Sequence, residues 1–125
     1  LRAMHFFDDN ARVLEQAEAI RKGDLDAFFA AVIRSGDSSW KLLQNVYARP
    51  TEEQMAMGIE LSRRFLGGDG AQRVHGGGFA GTVQAFVPLS RVEELRRVMD
   101  GAFGAGSCKV LSIRPEGAIR VFDEE

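Results

Sequence analysis

The residues best suited to chemistry in this chain are glycines. Between two apolar, strand-like runs lies Ala71-Gln-Arg-Val-His-Gly-Gly-Gly-Phe-Ala-Gly-Thr-Val-Gln-Ala-Phe-Val-Pro88, and four of the six residues from Gly76 to Gly81 are glycine. Glycine loses more backbone freedom on folding than any other residue. A cluster of it marks a place where the chain must turn sharply or press bare backbone against something. The N–H groups of such a turn can form a concavity that holds an anion. Gly-rich phosphate loops usually run from a strand into a helix, whose N-terminus adds its dipole. This one runs from strand to strand. It lacks the lysine of Gly-x-x-x-x-Gly-Lys-Ser/Thr and the βαβ setting of a dinucleotide fingerprint. On residue types alone, a structural hairpin and a ligand-contacting loop stand as equal readings.

The neighbours of the loop add little chemistry. His75 abuts it and titrates near physiological pH, which makes it a candidate general base; a histidine at a strand edge is the simpler reading. Phe79 is expected to pack beneath the turn. Asp8, Asp9, Asp24, Asp26 and Asp37 fall at predicted helix ends or turns, where carboxylates cap backbone N–H groups. His5 carries no pattern. Cys108 has no second cysteine to pair with, which fits a reducing cytoplasm. It lies beside an apolar run, where a small buried residue is expected rather than a nucleophile. No catalytic residue and no metal-ligating group is predicted within the chain.

The elements that must position the loop follow from periodicity. Asp9 to Lys22 reads as an amphipathic helix ended by Gly23. Asp24 caps a second helix, with Leu25, Phe28, Phe29, Val32 and Ile33 on its buried stripe and Gly36 as its terminator. Asp37 to Pro50 is expected to be a packed loop containing at most a helical turn. Thr51 to Gln54 has the form of a capping box and starts a third helix, which carries Met55, Ile59, Ser62 and Leu66 inward and stops at Gly67. Arg73 to His75 and Thr82 to Val87 are strands around the loop. Ser90 to Glu93 is a second capping box, opening a helix with Val92, Leu95, Met99 and Ala102 inward and Gly104 at its end. Val110 to Arg114 and Ala118 to Phe122 are two further strand runs, with Pro115-Glu116-Gly117 as a tight turn. The order predicts an α+β fold: a ferredoxin-like antiparallel sheet with helices on one face.

The bulk numbers exclude several classes. A chain of 125 residues fits one domain, residues 1–125, with its own core. A net charge of −2, with the basic residues scattered, gives no footprint for nucleic acid. No apolar run approaches the roughly 20 residues that span a bilayer, so neither nucleic acid nor membrane is expected as a partner. The chain begins with Leu1, which reads as a piece cut from something longer.

Arg73-Val-His-Gly-Gly-Gly-Phe-Ala-Gly-Thr-Val-Gln-Ala-Phe-Val-Pro88 resembles the third conserved motif of galactokinases, typically Arg-Met-Thr-Gly-(Gly/Ala)-Gly-Phe-Gly-Gly-Cys followed by an apolar strand. The opening helices, from Asn10 to Asp26, look like the helix pair that starts the C-terminal domain of that family. Ser35-Gly-Asp-Ser38 resembles its Ser-His-x-Ser turn. The later helix, strand and hairpin match in order. The chain departs from the pattern at Gly36, His75, Ala80 and Thr82, which bears on the particular sugar rather than on the GHMP superfamily as a whole.

The resemblance implies the C-terminal domain of a GHMP-superfamily sugar kinase, with the N-terminal GHMP kinase domain of the same polypeptide as its partner. It implies ATP and Mg²⁺ for the full-length enzyme, neither held tightly by this domain alone, a sugar as substrate, and an isolated domain that is inactive. Gly76, Gly77, Gly78, Phe79, Ala80 and Gly81 would line the phosphate end of an interdomain cleft, with His75, Ser35 and Ser38 as cleft neighbours. The rival readings are a free-standing ferredoxin-like ligand-binding or regulatory module, and a GHMP kinase of the mevalonate or homoserine type.

Overall fold

The computed structural model describes residues 1–79, 81–117 and 119. The closing strand expected over residues 118–122 lies almost entirely outside them. Helix α1 spans Arg2–Lys22 and α2 spans Leu25–Ser38. A π-turn follows at Ser39–Leu43. Helix α3 is Gln54–Leu66, strands β1 and β2 are Ala71–Val74 and Val83–Phe86, and α4 is Val92–Phe103 after a 3-10 turn at Leu89–Arg91. The expected α+β class stands: four helices accompany an antiparallel two-stranded sheet, compatible with a ferredoxin-like layout.

Several stops and starts follow the expected chemistry. Gly23 and Gly67 end α1 and α3 in the left-handed conformation that glycine adopts without strain. The Asp24 carboxylate accepts the Ala27 N–H at 2.9 Å and caps α2. Met55, Ile59, Ser62 and Leu66 all point into the core.

Other expectations are corrected. Helix α1 begins seven residues before Asp9, so Asp8 and Asp9 lie within it and pair with Arg12 instead of capping an end. Neither capping box forms: α3 starts on Glu53 and α4 on Arg91, without a side-chain cap. Gly36 does not terminate α2. A side chain there would put a Cβ 2.8 Å from Arg73 Cβ, so the residue is small because the helix passes tightly over β1. Asp37 accordingly sits inside a helix, paired with Lys41. Residues 110–114 form no strand, and Leu111 and Ile113 are each 87% exposed.

The register Ala71↔Phe86 to Val74↔Val83 sorts the hairpin by side. Alternation puts Ala71, Arg73, Gln84 and Phe86 on one side, and Gln72, Val74, Val83 and Ala85 on the other. Helix α2 covers the first, through Gly36 on Arg73 and through Phe28 and Phe29, whose rings lie 5.4 and 6.0 Å from that of Phe86. Helix α3 covers the second, through Gly58 on Val83. Ile59 and Met55 join Val74 and Val46 in the main core cluster, against which Trp40 and Tyr47 pack. Helices α2 and α3 thus cover the side chains of these two strands, and that is why Ala71 and Val74 are fully buried.

Candidate functional site: the glycine loop and its anchor

The loop from His75 to Thr82 closes the β1–β2 hairpin, and the His75 N–H donates to Thr82 O at 2.9 Å. Gly76, Gly78 and Gly81 all have positive φ, as does Phe79 at 56°. The first three explain the composition, since only glycine reaches that region at no steric expense.

What holds the loop is a residue outside it, Asn45. The π-turn ends on Gln44 in a left-handed conformation, with its N–H donating to Ser39 O at 2.9 Å. This aims Asn45 at the loop. Asn45 O accepts the Phe79 N–H at 2.8 Å, and Asn45 Nδ2 donates to Gly77 O at 3.1 Å. Asn45 Oδ1 in turn accepts the Ser39 hydroxyl at 2.9 Å, and both residues are buried. Gly78 has no room for a side chain, because a Cβ there would lie 2.8 Å from Asn45 Cβ. The only sequence signal for this anchor is that asparagine favours turns.

The docking divides the loop's N–H groups. Phe79 spends its own on Asn45, and Gly78 donates to His75 O at 3.4 Å. Among the described residues, Gly76 and Gly77 donate to nothing, and a Cβ at either would meet no atom within 4 Å. Gly81 and Thr82 likewise donate to nothing among the described residues, so the open donors of the loop are two adjacent N–H groups at its start and two more at its end. Such a pair suits an anionic oxygen. Phe79 is 54% exposed and does not pack beneath the turn; its left-handed backbone swings the ring outward. Ala80 lies outside the described residues.

The remaining candidates fall elsewhere. His75 is exposed at the strand edge, its Nδ1 3.1 Å from Gln84 Oε1. Ser35 and Ser38 bond toward α1. The Ser35 hydroxyl donates to Asp9 Oδ1 at 2.6 Å and accepts from Arg73 Nη1 at 2.5 Å. Ser38 Oγ lies 3.0 Å from His5 Nδ1. They tie α1, α2 and β1 together, a network that their spacing alone did not reveal.

A groove of about 440 Å³ lies between α2 and α3, lined by Trp40, Lys41, Ile59, Glu60, Arg63 and Arg73 among others. Glu60 is held down at about 2 by hydrogen bonds from Arg63 and Arg64, each 2.7 Å away. No loop glycine lines this groove. Among the described residues no group of three or more His, Cys, Asp or Glu converges as a metal site would, and no helix is long and apolar enough to cross a membrane.

Fold and loop together define a small α+β unit that presents a strand-to-strand glycine loop on a buried asparagine. The chain is, more particularly, similar to galactokinases. That of Mannheimia succiniciproducens is 32% identical over 98 residues, that of Actinobacillus pleuropneumoniae serotype 5b 33% and that of Haemophilus influenzae 31%. Each match covers 78% of this chain and 24% of the relative, so the chain spans about a quarter of the length of the curated relatives it matches. The resemblance read from the motif is thereby borne out, and the coverage is consistent with the C-terminal domain of a galactokinase. No family model matches the chain. No solved structure matches it.

Proposed function

We propose that residues 1–125 form one domain of a longer, ATP-dependent sugar kinase of the galactokinase kind, working in the cytoplasm, and that its glycine loop lines the phosphate end of a cleft completed by an N-terminal GHMP kinase domain. The observation that carries this reading is the pair of open N–H groups at Gly76 and Gly77, in a loop with galactokinase-like flanks. ATP would supply the phosphoryl group. The two backbone N–H groups would hold an anionic oxygen of it, and Asn45 would keep them aimed by fixing Gly77 O and the Phe79 N–H. Mg²⁺ would accompany the ATP, held largely by its phosphates. Phosphoryl transfer depends mainly on positioning and charge stabilisation, and one wall of a cleft supplies only part of that. The domain alone is inert on this reading.

The test is ATP-dependent phosphorylation of galactose by the full-length polypeptide, run beside other sugars, mevalonate and homoserine. Phosphorylation of galactose supports the reading. Turnover of mevalonate or homoserine instead would reassign the acceptor, and no turnover of any of them would favour a binding module. Within an active enzyme, Gly77→Ala should raise the KM for ATP several-fold without lowering Tm, since the added methyl meets nothing in the fold. An unchanged KM would remove Gly77 from the cleft.

A further inference from the structure

We propose that the outward arc of α1 is the seat on which another part of the same polypeptide packs. Helix α1 is turned the opposite way from an ordinary surface helix. Its polar residues His5 and Asp9 face α2, bonded to Ser38 and Ser35, and Ala19 is buried on the same flank. Its large apolar residues face out: Met4, Phe6, Phe7, Val13, Leu14 and Ile20 are between 57% and 72% exposed. A helix that packs on a domain by one stripe buries its apolar residues there and shows its polar ones to water. In α1 the inner contact is made by hydrogen bonds, and the hydrophobic stripe is left unused.

The arc is continuous. At 3.6 residues per turn these six residues fall within about half of the helix circumference, and from Met4 to Ile20 they run for about 24 Å. The Phe6 and Phe7 rings already stand edge to face, with centroids 5.4 Å apart. An apolar surface of this extent marks a contact. The occupant follows from length. The galactokinases that the chain resembles devote about three-quarters of their sequence to residues outside the match, so such a polypeptide has ample chain of its own to cover the arc. The inference rests on the reading of the chain as part of a longer polypeptide, but not on the sugar or on the loop.

Hydroxyl-radical footprinting of the full-length polypeptide, read by mass spectrometry, tests it without altering a residue. Side chains of one type are compared: Met4 with Met57 and Leu14 with Leu89, which are 51% and 93% exposed, each normalised to the same polypeptide in denaturant. Met4 and Leu14 should be protected by roughly fivefold or more in the monomer. Modification of both at the denatured rate would overturn the proposal. So would protection that vanishes on dilution from dimer to monomer, which assigns the arc to a second copy, or a natural gene product that consists of these residues alone. Galactose phosphorylation is measured on the same sample. Protection without kinase activity would refute the sugar-kinase reading alone, and activity without protection would refute the arc alone.

Discussion

Asn45 meets the glycine loop with its carbonyl and its side-chain amide, while its side-chain oxygen is held by Ser39. Replacing it with alanine leaves the Gly77 carbonyl and the Ser39 hydroxyl without those partners. Ser39 is buried, and an unfilled buried polar group costs about 1–3 kcal/mol, so Asn45→Ala should destabilise the full-length polypeptide by an amount in that range, read as a lower urea midpoint. A midpoint within error of the parent would show that the loop stands without its anchor. Gly78→Ala should be at least as damaging, through its positive φ and its clash with Asn45. Asp100 offers a test by pH. Its carboxylate accepts the Cys108 N–H at 3.0 Å and the Ser107 hydroxyl at 3.2 Å. The Cys108 N–H above all, with help from Ser107 and Arg96, holds its pKa below the ordinary 3.8 against the opposing effect of burial. A carboxyl depressed in the fold contributes fully above its unfolded value and ceases to do so as pH falls through its folded value. Amide-exchange protection at Cys108 should therefore persist at neutral pH and fade in acid below 3.8, and in Asp100→Asn, whose amide oxygen accepts without titrating, that fading should be lost. Burial first, and Asp100 second, push the Cys108 thiol up, so the same variant should react faster with a disulfide reagent at pH 8. Equal rates would separate the two groups.

At the scale of elements, two helical glycines call for opposite outcomes. Gly36 lies where α2 crosses β1, and Gly101 lies on the open side of α4 with nothing near its would-be Cβ. Alanine is favoured over glycine in a helix by about 0.8–1 kcal/mol. Gly101→Ala should accordingly stabilise by up to about that much. Gly36→Ala should destabilise by about 1–3 kcal/mol, because overpacking a tight contact outweighs propensity. Thermal unfolding of both variants decides it, and a stabilising Gly36→Ala would mean that the helix and strand separate easily. The same pair shows what the sequence could convey. A glycine at the end of an apolar stripe reads as a helix stop, and at Gly23, Gly67 and Gly104 it is one. Gly36 has the same local context, and only the strand 37 residues later, which arrives against it, gives it another role. The stripes of α2 and α3 were legible because apolar burial is periodic along a helix. The inverted α1 was not, since periodicity finds an amphipathic helix without saying which side meets its neighbour. The loop was legible by composition. Its anchor was not, because the contact between Asn45 and Gly77 spans 32 residues and leaves no local mark.

At the scale of the molecule, this chain reads as a unit with surfaces left open. The apolar arc of α1 and the exposed run from Val110 to Ile113 are both more hydrophobic than water-facing structure requires. The loop offers unpaired donors on an exposed hairpin. These features agree with the quarter-length match to galactokinases, and they predict that a polypeptide limited to residues 1–125 will bind a dye such as ANS more strongly, per molecule, than the full-length polypeptide does. Equal binding would mean that the apolar surfaces stay open in both. Arg73 bears on the same question from another direction. Among the described residues β1 has a partner along one margin only. The hydrogen bond from His75 to Thr82 sets the ladder so that the Val74 carbonyl points away from β2. Arg73 Nε covers that carbonyl at 3.0 Å while its Nη1 is held by Ser35. A bare strand margin is a template for another chain's strand, and a charged side chain laid across it is a defence against aggregation. A side chain that looks like one more strut between α2 and β1 thus doubles as a gatekeeper of solubility, and losing it should show first as light scattering on storage rather than as a lower melting temperature.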